Sequence, residues 1–177
     1  KSETGALLDH GTLYVARFEN DGSGRWLPLR HGEAYSGGAL NAANGFADQG
    51  DVAIRCRQAA DIAGATKMDR PEWIAVHPQS GEVYVTLTNN SKRGTDGAPA
   101  TDAANPRAAN VFGHIVRWRE SGRDAAADNF NWDIFALAGD PEATDDSKHG
   151  TVKGDAYGSP DGLWFDPNGR LWIQTDV

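Results

Sequence analysis

Apolar residues in this chain come in short runs separated by turn-forming residues, and one such arrangement occurs twice. Pro71-Glu72-Trp73-Ile74-Ala75-Val76 leads through His77-Pro78-Gln79-Ser80-Gly81 into Glu82-Val83-Tyr84-Val85, and Pro160-Asp161-Gly162-Leu163-Trp164-Phe165 leads through Asp166-Pro167-Asn168-Gly169 into Arg170-Leu171-Trp172-Ile173. A short apolar run, a turn of Pro, Asn or Ser and Gly, and a second apolar run predict a β-hairpin. A third hairpin is expected where Leu13–Phe18 and Trp26–Leu29 are joined through Asn20-Asp21-Gly22-Ser23-Gly24, because Asn, Asp and Gly tolerate positive φ. It reads as part of a first blade. Strands at about His114–Trp118 and Trp132–Leu137 would complete a four-stranded blade with the 72–87 hairpin.

Two stretches break the strand pattern. In residues 51–64 the apolar positions Val52, Cys56, Ala59, Ala60 and Ala63 fall near helical spacing, with Asp51 placed to cap the start and Gly64 to close the end. One amphipathic helix is expected there. Residues 89–112 show neither period and predict a long loop, of the kind that in compact domains is functional or disordered. The predicted fold is all-β with a helical insertion at about 51–64: a partial β-propeller holding parts of about three blades, with residues 1–177 a fragment of a single propeller domain. A whole propeller needs more chain than 177 residues, so the sequence reads as an internal piece.

Charge narrows the range of partners. With 25 acidic and 17 basic residues the formal charge is −8, and no Lys/Arg stripe offsets it, which argues against nucleic acid and is compatible with divalent cations, although a mildly acidic protein with no metal is the commoner case. No apolar run approaches a membrane span. Cys56 is the only cysteine, so there is no internal disulfide, and on the apolar face of the expected helix it reads as an inert core thiol. The five histidines show no zinc-ligand spacing, and there is neither a GxSxG elbow nor a phosphate loop. His114 reads as a strand-start residue.

The candidate chemistry lies at the start of the repeated hairpins. Glu72 and Asp161 each follow a proline at the entrance of equivalent strands, which in a propeller face the central channel. Carboxylates gathered there would take up protons or bind a hard cation, Ca²⁺ being the natural candidate; the alternative is that each caps its own turn. Asp176 ends the second strand of the later hairpin, opposite Thr88 in the earlier copy, and becomes a metal ligand if that strand end turns inward. Asn89, Asn90 and Asn110 are turn residues, carbonyl ligands or substrate contacts, with the turn role favoured because Asn is common in turns. Asp69-Arg70 is either a structural ion pair or a guanidinium placed near an anionic substrate, with the ion pair favoured. No residue reads as an independent acid–base catalyst.

Several stretches together resemble the PhoX family of bacterial alkaline phosphatases: Gly11–Phe18, Ala59–Asp61 with Gly64–Trp73, Leu87–Asn90, Asn105–Asn110 with Gly113–Ile115, and Ser159–Asp166. The run Met68–Trp73 carries most of the specificity. The resemblance implies a monomeric phosphomonoesterase, periplasmic or secreted, acting on diverse small-molecule phosphate esters, with a cluster of Ca²⁺ and Fe³⁺ in the propeller channel. It aligns Glu72 with a calcium carboxylate. The family's cysteine ligand for iron falls upstream of the matching portion, Cys56 does not replace it, and further acidic ligands and a substrate-binding arginine are expected beyond Val177. Alone, such a piece is expected to self-associate through its open edges. A calcium-dependent lactonase-type propeller and a non-catalytic propeller scaffold are the rival readings.

Overall fold

The computed structural model describes residues 10–176. In chain order the elements are β1 (Tyr14–Phe18), β2 (Ser23–Pro28), β3 (Ala34–Tyr35), β4 (Gly38–Ala39), α1 (Gln49–Ile54), α2 (Cys56–Ala63), β5 (Pro71–Val76), β6 (Val83–Leu87), β7 (His114–Glu120), β8 (Asn129–Leu137), β9 (Pro160–Phe165) and β10 (Leu171–Thr175), with short 3₁₀ turns at Ala42–Asn44 and Ser121–Arg123. They form two compact units. Among the described residues, one takes 10–17 and 25–66, the other 18–24 and 67–176.

The first unit holds the helical insertion, which is two helices instead of the expected one. Asp48, three residues before Asp51, caps α1 by accepting the Asp51 N–H. Arg55 then leaves helical geometry (φ −102°, ψ 39°), and α2 restarts at Cys56. Gly64 closes α2 as expected, with φ 84° and its N–H shared between the carbonyls of Ala60 and Asp61. Val52, Ala59 and Ala63 bury against Leu29, Leu40 and Phe46, and the partly buried Cys56 packs against the same cluster, a core role as its position in the sequence predicts.

In the second unit the four expected strands do pair, but they belong to a larger sheet: the tip of the first hairpin adds to β8 (order β2-β8-β7-β6-β5), so that hairpin is not part of a separate first blade. β5, β6, β7 and β8 pair antiparallel in chain order, with Val83 opposite both Val76 and Trp118, and Trp118 opposite Trp132. Residues 18–24, the tip of the first hairpin, rest on β8. The Trp132 N–H bonds Gly22 O, its indole N–H bonds Ser23 O at 2.8 Å, and Phe18 meets the rings of Trp118, Phe130 and Trp132.

β9 and β10 form the second copy of the repeated hairpin, and it stacks on the first in the same orientation. Phe165 packs edge-on to His77 and Tyr84, Leu163 shares a buried cluster with Tyr84 and Ile115, and the Gln79 amide reaches Pro167 O across the two turns. The chain is therefore an all-β partial propeller with a helical insertion.

Candidate functional site

The two hairpins match in backbone detail that no residue pattern announces. Arg70 and Ser159, each just before the proline, both adopt the left-handed region (φ 51° and 48°), a conformation that costs a non-glycine residue on the order of 1–2 kcal/mol. The carbonyl of Arg70 accepts the Thr88 N–H at 3.2 Å, and that of Ser159 accepts the Asp176 N–H at 3.0 Å. After the proline both ladders slip. Pro71 and Ile74 face Leu87 and Val85, while Pro160 and Leu163 face Thr175 and Ile173, so each first strand carries an extra residue in a bulge at Glu72-Trp73 or Asp161-Gly162. Bulges of this kind re-aim side chains and recur beside functional sites.

Two threonines join the entrances. Thr86 Oγ1 donates to Asp161 O at 2.7 Å and Thr88 Oγ1 to Pro160 O at 2.6 Å, so the strand starts bearing Glu72 and Asp161 lie at the same end of the stacked hairpins. Glu72 is exposed, with Oε1 3.9 Å from Arg70 Nη2. Asp161 is half-buried and lines an open cavity of about 530 Å³ with Trp73, Gly162, Gln174 and Thr175. Asp176 is exposed beside this end, its N–H on Ser159 O. Neither the Glu72 nor the Asp161 carboxylate accepts a backbone N–H among the described residues. Asp166, in the turn of the second copy, does cap: it accepts the N–H groups of Asn168 and Arg170 at 2.9 Å each.

The donors at this end are hard carboxylate oxygens, the chemistry that suits calcium. Their number does not close a coordination shell. Among the described residues no group of three His, Cys, Asp or Glu side chains is disposed to hold a metal ion. Within this chain the carboxylates fit as contributors to a cation site, and they do not make one by themselves.

Behind the entrance lies a buried polar network. Asp69 does not pair with Arg70, as its neighbour in the sequence suggested; it is fully buried against Arg93, 2.7 Å from Nε. The amides of Asn90 and Asn110 donate to its two oxygens at 2.9 and 3.0 Å, and its own N–H bonds Asn105 Oδ1. Arg93 and Asn105 both reach Lys67 O. Arg70, released from Asp69, donates through Nη1 to Asn89 Oδ1 at 2.8 Å, and the Asn89 amide donates to Ser159 Oγ at 3.3 Å. Asn90 and Asn110 are turn residues, as expected, accepting the Lys92 and Gly113 N–H groups, and through their amides all three asparagines also fasten the 89–112 loop to the strand entrance. Nothing local in the sequence signals this, because Asn in a loop rich in Ala, Asp, Thr and Pro reads as a turn former whatever it touches.

His114 begins β7, as expected, and is buried within the same network. Its Nε2–H donates to Ala104 O at 2.7 Å and its Nδ1 accepts from the Asn110 amide at 3.1 Å, an arrangement made by the neutral ring. Burial, only partly opposed by the Ala104 bond, lowers its pKa from 6.5 to about 4. Arg107 is also buried, bonding Ala138 O and Gly113 O, and removal from water lowers its pKa.

The family model described as alkaline phosphatase PhoX matches residues 1–177. A solved structure similar to this chain is that of Pseudomonas fluorescens PhoX in complex with vanadate, a transition state analogue, at 49% sequence identity and a TM-score of 0.89. The similarity covers 98% of this chain and 31% of that one, so the chain spans about a third of that protein's length. No curated protein matches the sequence.

Proposed function

The chain belongs to the PhoX alkaline phosphatase family, and on that ground we propose that the intact protein is a phosphomonoesterase whose channel cations are held in part by Glu72 and Asp161. The observation that supports this reading best is the duplicated strand entrance. In both copies a left-handed residue, a proline, a carboxylate and a bulge follow one another, and the threonines of β6 and its end tie the entrances together. Two carboxylates presented by equivalent backbone at one end of stacked blades are what a shared cation site needs from this segment.

In this reading Glu72 is a calcium ligand, Asp161 is a second ligand or supports one, and Asp176 contributes from the strand end beside them. The remaining ligands, including those for iron, come from outside residues 1–177. Cations bound there supply charge neutralisation for the phosphoryl oxygens. This chain's residues orient the ligands: Thr86 and Thr88 hold the Asp161 entrance, and the Asp69–Arg93 network holds the residue before Arg70. The substrates are small phosphate monoesters. We propose a monomer working in the periplasm or outside the cell, where such esters are hydrolysed for their phosphate.

The full-length protein, assayed on a chromogenic phosphomonoester and on a lactone with and without a chelator, tests the assignment. Ester hydrolysis that the chelator abolishes is the expected result, and in Glu72→Gln activity falls by at least about 100-fold with loss of bound calcium. Lactone hydrolysis alone, or ester hydrolysis and calcium content unchanged in Glu72→Gln, would overturn it.

A further inference from the structure

The guanidinium of Arg70 exceeds what the fold requires at that position. Its equivalent in the second copy is Ser159, with the same left-handed backbone, the same proline after it and a carbonyl that likewise accepts an N–H from the end of the far strand. A serine therefore satisfies the turn. The side chain at 70 is 58% exposed, yet it is not loose, because Nη1 donates to Asn89 Oδ1 at 2.8 Å and Asn89 is tied back to Ser159 Oγ. Its Nη2 stands 3.9 Å from Glu72 Oε1, too far for a hydrogen bond, so the two charges are adjacent without forming a closed fork.

Resting on the phosphatase reading, we propose that Arg70 is a substrate-binding residue that donates to the non-bridging oxygens of the phosphoryl group beside Glu72. A guanidinium suits this task because it stays charged, is weakly hydrated and presents parallel N–H donors to an oxyanion. The need is electrostatic as well. A chain with a net charge of −8 and carboxylates at the strand entrances repels a phosphate dianion, and a fixed cation there offsets that repulsion. Asn89 is the positioning residue: it sets the direction of the fork.

The test uses the full-length protein with Arg70→Gln and Arg70→Lys, assayed on a chromogenic phosphomonoester, with inhibition by inorganic phosphate. Loss of charge-assisted hydrogen bonds predicts KM and the phosphate inhibition constant each raised about 10-fold or more in Arg70→Gln. In the same variant kcat stays within about 3-fold, and calcium content and unfolding temperature are unchanged. Arg70→Lys recovers part of the loss, because a point charge lacks the fork. Unchanged KM and phosphate inhibition overturn the proposal, as does a fall in kcat and calcium content at constant KM, which would mean that Arg70 acts only through Glu72. If the wild type hydrolyses no phosphomonoester, the phosphatase reading fails instead. Calorimetric titration of wild type and Arg70→Gln with inorganic phosphate then decides the anion site directly: equal binding, or none in either, overturns it.

Discussion

His114 shows how a single side chain reports on the packing around it. Its pKa is about 4 in the folded protein and 6.5 when solvated, so between those values the unfolded chain binds a proton that the folded one excludes. Acid therefore favours unfolding. Stability is complete above about pH 6.5 and declines toward pH 4, by an amount on the order of 3 kcal/mol for this residue. Thermal unfolding followed across that interval should show the decline, and His114→Asn should flatten it; an unchanged slope in the variant would mean that another group is responsible. The sequence placed His114 at a strand start. That it would be enclosed and neutral follows from Ala104 and Asn110, residues of a loop whose path the sequence left open. Asp69 carries the same lesson: adjacency in the chain favoured Arg70 as its partner, but Arg70 sits in left-handed backbone with its guanidinium on Asn89, and Arg93 reaches the buried carboxylate instead.

At the scale of elements, the hairpin repeat is more than a shared sequence pattern. The strands and turns were legible because alternation and turn chemistry act over a few residues. The bulges and the left-handed residues before the prolines were not, because they arise where one hairpin is fitted against the other. Thr86 lies at that junction, accepting the Trp73 N–H at 2.9 Å while donating to Asp161 O at 2.7 Å. Thr86→Val keeps the shape and removes both bonds, leaving two backbone groups of the paired entrances without this partner. A loss of about 1–3 kcal/mol is expected, read by denaturant unfolding, and on the proposed calcium reading the full-length protein also binds calcium more weakly, read by calcium titration. A variant as stable as wild type with the same calcium affinity would show that the entrances do not depend on this junction. The helical insertion was legible as helix but not as two helices, since Asp48 and Asp51 are both good caps and only the folded chain shows which is used.

At the scale of the whole molecule, large apolar side chains remain open to solvent. Trp73, Trp164 and Trp172 are each more than half exposed, and Ile74 and Val76 add to them on β5. Surfaces of this kind mark contact sites. The 177-residue chain produced alone is expected to associate, giving concentration-dependent oligomers in sedimentation that Trp164→Lys with Trp172→Lys disperses. A monomer at every concentration would count against that expectation. The hairpin period, the repeat, the helical stretch and the family could be read from the residues alone, because each is written in neighbouring residues or in a run such as Met68–Trp73. That Asp69 belongs to Arg93, that Thr86 holds Asp161, and that Arg70 is aimed from Asn89 emerges in the folded chain, because these partners lie far apart along the sequence and are chosen by burial, distance and hydrogen-bond geometry once the backbone has folded.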